Sequence, residues 1–212
     1  MIPRAGADNT VYMEGQRSTD PVEHYLTEVE TVVRAISRTA VRAIVDRLYS
    51  TWQSGRTAFI VGNGGSASTA SHMMNDLNKF TIVEGLRRFR AIALTDDIPL
   101  MTALANDREY ADIFVEPLKN FMEPDDTLIA ISGSGNSENV IRAAQYARSI
   151  GGTVIGLCGN PGSRLATLAD IALTVSASII CMQEDAHLVV NHVVALALRE
   201  RIAASVTTAR AT

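Results

Sequence analysis

Twice along this chain an apolar run breaks into glycine and serine and restarts as a helix. The first instance is FIVGNGGSASTASHMMNDL, from Phe59 to Leu77. The second is LIAISGSGNSENVIRAA, from Leu128 to Ala144. These two units belong to a longer alternation. TAFIVG, FRAIAL, TLIAIS, TVIGLC and IALTV read as strands. Helical stretches separate them, running to about residue 79, around 100–104 and 110–121, over 137–150, near 164, and over 182–202. Apolar runs without inside–outside alternation, each followed by a helix, imply βαβ units and a parallel sheet covered on both faces. The expectation is an α/β chain, a three-layer sandwich around a parallel sheet of about five strands, preceded by N-terminal helices.

The segment TDPVEHYL starts the first of those helices. Asp20 caps it, Pro21 suits its first position, and Glu23 is placed to return a bond to the cap. Val22, Leu26, Val29, Val33 and Ile36 follow at helical spacing, a stripe able to pack on the domain or on another subunit. A second helix runs to about Trp52 and stops at Gly55. Residues 1–18 read as a flexible arm, 19–204 as one domain and 205–212 as a flexible tail.

Composition excludes several classes. The 212 residues carry a formal net charge of -4, against the basic surface a nucleic-acid binder needs. No run is long and apolar enough to span a membrane, and no secretory pattern opens the chain. Cys158 and Cys181 form neither a disulfide framework nor a zinc-finger spacing, and the pair reads as reduced thiols in a cytoplasmic protein.

In a parallel α/β sheet, loops after strands gather at the carboxyl edge, where ligands bind. Glycines there let backbone N–H groups approach an anion, serines add hydroxyl donors, and the helix start adds partial positive charge. Ser132, Ser134 and Ser137 read as a phosphate cup. Neither loop carries the Lys-Ser/Thr pair of a nucleotide P-loop or the full dinucleotide pattern, so one terminal phosphate is the better guest.

His72 and Asp76 are four residues apart and share a helix face. The closing helix carries EDAHLVVNH, with Glu184, Asp185, His187 and His192. His187 lies among apolar residues and reads as a hydrogen-bonded core histidine; His24 reads as a surface residue. Eight residues of regular helix separate Glu184 from His192 by about 12 Å. Either Glu184 lies in the turn before that helix, or one of the two serves a neighbouring subunit's site.

GNGGSAS with its following His and Asp, AND, ISGSGNS and EDAHLVVNH together resemble the sugar isomerase (SIS) domain, and within it the phosphoheptose isomerases. The resemblance covers roughly residues 20–203. It implies a flavodoxin-like sandwich, a homotetramer with no nucleic-acid or membrane partner, and conversion of sedoheptulose 7-phosphate to D-glycero-D-manno-heptose 7-phosphate. It implies substrate binding by Asn63, Gly64, Gly65 and Ser66, by Asn106 and Asp107, and by the phosphate loop Ser132, Gly133, Ser134 and Ser137. It also implies a divalent metal, zinc foremost, on His72, Asp76, Glu184 and His192, with His192 catalytic. Asp76 stands where the family usually has a glutamate that is both base and ligand. Glu184 stands where it usually has a glutamine ligand that also meets the substrate, and Gly133 where many members have threonine. With the carboxylate at 76 shortened, the catalytic candidates are Asp76, Glu184 and His192, and the proton acceptor is either Asp76 or, with Asp76 left as a ligand, Glu184. Non-catalytic SIS proteins, acting as replication initiator-associating factors or sugar-phosphate sensors, and isomerases of other phosphosugars are the alternatives.

Overall fold

Residues 20–209 are described by a computed structural model of the chain. Among them, five parallel strands form one sheet in the order β2-β1-β3-β4-β5. They are β1 (Ala58–Gly62), β2 (Ala91–Ala93), β3 (Thr127–Ser132), β4 (Thr153–Cys158) and β5 (Ile171–Thr174). This is the flavodoxin-like order, in which the chain reverses its winding beside the first strand. The central strands β1 and β3 are buried along their whole length, which explains why their sequences do not alternate. Strand β2 is shorter than the FRAIAL run, and its Ile92 faces solvent at this edge, 42% exposed.

Side chains alternate between two cores. Ala58, Ile60, Ile129, Ile131 and Leu157 face one side. There they meet α1 (Pro21–Arg34), α2 (Arg38–Gln53), α3 (Gly65–Asn75) and α8 (Ile180–Ala209). Phe59, Val61, Leu128, Ala130 and Val154 face the other. That side is covered by α4 (Ile98–Asp107), α5 (Val115–Phe121), α6 (Glu138–Ser149) and α7 (Arg164–Leu168). The sequence-based elements are thus present, and Asp20 caps α1 by accepting from the Val22 N–H at 2.9 Å.

Two details depart from the sequence reading. The helix after β1 does not stay α-helical to residue 79: it turns into a π-helix over Asp76–Phe80. Helix α8 begins at Ile180 and continues through Ala209, past the boundary drawn at 204. The stripe of α1 is covered only in part in the single chain: Val29, Val33 and Ile36 are partly buried, while Val22 and Leu26 are 65% and 57% exposed. The arm expected over 1–18 lies outside the described residues, as do residues 210–212. No helix among the described residues is long and apolar enough to cross a membrane.

Candidate functional site

Strand β1 delivers the chain into Asn63-Gly64-Gly65-Ser66. Gly64 adopts φ 56°, a conformation open to glycine and costly for other residues. Gly65 opens α3, and a Cβ there would overlap the Glu184 carboxylate from α8. Glu184 therefore lies over the head of α3, inside a regular helix and not in a turn before it.

Two turns further along α3 the imidazole of His72 meets that of His192. Their Nε2 atoms are 3.1 Å apart and the rings stand edge-on at 65°. Asp76 Oδ2 lies 3.4 Å from His72 Nε2 and 3.9 Å from His192 Nε2. Metal–nitrogen bonds of about 2.0–2.1 Å put tetrahedral ligand atoms about 3.3 Å apart. The three separations span that value, so two nitrogens and an oxygen here fit a divalent ion. His72 and His192 are exposed while Asp76 is half-buried. Asp76 Oδ2 also accepts a hydrogen bond from Asn191 Nδ2 at 2.8 Å. Of the four expected metal residues, the structure brings together His72, Asp76 and His192; Glu184 is not part of this cluster.

The second loop closes on itself. Ser132 Oγ lies 3.5 Å from Ser134 Oγ and 3.3 Å from Ser137 Oγ. Ser137 stands at the N-cap of α6, but its hydroxyl makes no capping bond. The structure thus brings the three serine hydroxyls together at the head of a twelve-residue helix, an arrangement able to receive an anion. A Cβ on Gly133 would collide with the tips of Ile180 and Gln183. The space that a side chain at position 133 would take is occupied by α8.

Asn63 joins the two loops. It exchanges two amide hydrogen bonds with Asn139 of α6, at 2.9 and 2.8 Å, and accepts from the Tyr110 hydroxyl at 2.9 Å. Asn106 and Asp107 end α4 exposed to solvent, with Asn106 Nδ2 donating to Asp107 Oδ1 at 2.8 Å.

His187 is buried, as expected. Desolvation lowers its pKa to about 4, opposed in part by a hydrogen bond to the Cys158 backbone. Tyr25 of α1 donates to Asp185 Oδ2 at 2.6 Å. That bond, with desolvation and the Asp185 charge, pushes the phenol up to about 12. Tyr110, Asn139 and Asn191 were missed from sequence. Only Asn191 left a signal, as a polar residue in the apolar stretch VVNHVVA.

A family model described as the SIS domain matches residues 24–159. A phosphoheptose isomerase of Mycobacterium tuberculosis is 39% identical over 155 residues, 73% of this chain and 79% of that protein. The lincomycin biosynthesis protein LmbN of Streptomyces lincolnensis is 32% identical over 186 residues, 83% of this chain and 68% of that one. The solved structure of a phosphoheptose isomerase from Francisella tularensis superposes with a TM-score of 0.80 at 25% identity, covering 87% of this chain and 100% of the other.

Proposed function

This chain belongs to the SIS-domain family, in its phosphoheptose isomerase branch, and from that premise we propose that it converts sedoheptulose 7-phosphate to D-glycero-D-manno-heptose 7-phosphate. The observation that carries this reading is the meeting of His72 on α3, Asp76 on the π-helical turn that follows it and His192 on α8. The serine cup holds the terminal phosphate, while Ser66, Asn106 and Asp107 hold the sugar hydroxyls. Asn63, tied to Asn139 and Tyr110, fixes the spacing between the loops.

The reaction removes a proton from C1 of the ketose, passes through an enediol and returns a proton to C2. Glu184 over the glycine turn is the proton acceptor and donor at carbon. His192 moves protons at the two oxygens. His72, Asp76 and His192 hold the metal, zinc by their donor set; when bound, it supplies positive charge that stabilises the enediolate oxygens.

The assembly is a homotetramer. An apolar groove of about 540 Å³ between α1, α2 and α8, lined by Val33, Val41, Val189 and Val193, supports self-association. Exposed Leu26 and Leu196 add to it. The free thiols of Cys158 and Cys181 suit a cytoplasmic protein.

A second reading has its own support. The acidic residue at 184, the shortened one at 76 and the similarity to LmbN favour an isomerase of another phosphosugar. Incubation with a panel of ketose phosphates, with and without chelator, followed by NMR of the products, separates the two. Conversion of the seven-carbon ketose alone, lost with chelator, supports the first; conversion only of a different ketose supports the second. Ser134→Ala removes one donor to a charged group and is expected to weaken binding by about 1.5–3 kcal/mol, seen as a raised KM.

A further inference from the structure

Asn191 is fully buried, 0% exposed, in a stretch of α8 whose buried neighbours are Val190, Val194 and Ala195. Its Oδ1 has no hydrogen-bond partner among the described residues. A buried carboxamide with an unsatisfied carbonyl is a cost that an aliphatic residue would avoid. What the amide gains is one bond, from Nδ2 to Asp76 Oδ2 at 2.8 Å, linking residues 115 apart in sequence.

That bond falls on the oxygen that faces both imidazoles. A carboxylate oxygen has two lone pairs. With one given to Asn191, Oδ2 has one left to offer between His72 and His192. The other oxygen, Oδ1, lies 3.4 Å from Asn75 Nδ2. Asp76 also opens the π-helical turn, whose wider winding sets its direction differently from an α-helical one. Asparagine and His192 are adjacent, so one step of α8 supplies a ligand and the brace for another.

We propose that Asn191 is a positioning residue that orients the short carboxylate of Asp76 toward the two histidines and fixes it as a single-oxygen metal ligand. The proposal rests on the metal site of the preceding section but not on the identity of the sugar.

The test is a double-mutant cycle read by metal binding. Zinc affinity is measured by competition with a chromophoric chelator for wild type, Asn191→Ser, Asp76→Ala and the double variant. The cobalt-loaded proteins are compared by visible absorption. Asn191→Ser keeps a small polar residue but is too short to make the bond. It is expected to weaken zinc binding about 10–100-fold and to change the cobalt spectrum. In the Asp76→Ala background the same change is expected to do nothing further, because there is no carboxylate left to orient. Asn191→Leu, which fills the site without an orphaned carbonyl, is expected to bind zinc as weakly as Asn191→Ser while unfolding no sooner than wild type. Wild-type affinity in Asn191→Ser, or an equal loss in both backgrounds, overturns the proposal alone. A wild-type protein that binds no divalent ion overturns the metal site and the proposal with it.

Discussion

Gly65 permits a test of Glu184 that leaves Glu184 in place. The three atoms nearest to a Cβ at this position are those of the glutamate carboxylate. Gly65→Ala should therefore push the carboxylate aside while the helix gains the better helix former. The expected outcome is an unchanged or raised melting temperature with kcat reduced at least about tenfold, in the range of a lost general base. Unchanged kcat would assign the proton transfer to Asp76. His187 makes a different prediction, about stability. Its folded pKa of about 4 lies below the ordinary 6.5. Above pH 6.5 both folded and unfolded states hold it neutral. Between 6.5 and 4 the unfolded chain binds a proton that the folded one refuses, so stability falls as pH falls. The loss is on the order of 3 kcal/mol once pH is below 4. Urea unfolding at pH 7.5 and pH 5 should show wild type losing more stability than His187→Gln, whose amide does not titrate; equal losses would contradict the buried neutral imidazole.

At the level of elements, strands and helices were legible because their signals are local. Runs such as TLIAIS and TVIGLC are long enough to identify a buried parallel strand, and Asp20-Pro21 marks a helix start. The gathering of three serine hydroxyls was legible for the same reason, since Ser132, Ser134 and Ser137 lie within one loop and the following helix cap. The π-helix at Asp76 was not, because tertiary packing against α8 sets it and no residue type announces it. Nor was the Asn63–Asn139 pair, which depends on how two distant loops meet. Sequence spacing did establish that Glu184 and His192 cannot meet along one helix, and α8 is helical through both. The opposite edge of the sheet carries a clamp that serves stability only. Buried Asp126 accepts from the N–H groups of Thr57 and Glu123 at 2.9 and 2.8 Å, and Arg47 Nε donates to Thr127 Oγ1 at 2.9 Å. Asp126→Ala strands the buried Thr57 N–H and is expected to cost about 1–3 kcal/mol in urea unfolding. Because the ligand loops lie at the far end of the strands, kcat and KM at a temperature where the variant is folded should match wild type.

For the whole molecule, α8 carries the exposed apolar residues Val193 and Leu196 as well as His192, so the proposed assembly would bury residues beside the site. Leu26→Glu on α1 places a charge on a side chain that is 57% exposed in the single chain. It should leave the protomer folded by circular dichroism, lower the mass measured by light scattering and reduce activity in parallel. A fully active monomer would show that each protomer's site is complete by itself. The chemistry itself, proton transfer between adjacent carbons of a seven-carbon sugar phosphate, is tested most directly by incubating the zinc-loaded protein with sedoheptulose 7-phosphate in D₂O and following the proton spectrum. An enzyme that removes the C1 proton and returns one at C2 should form the heptose 7-phosphate with deuterium at C2; an unchanged spectrum, with neither product nor exchange at C1, would contradict it.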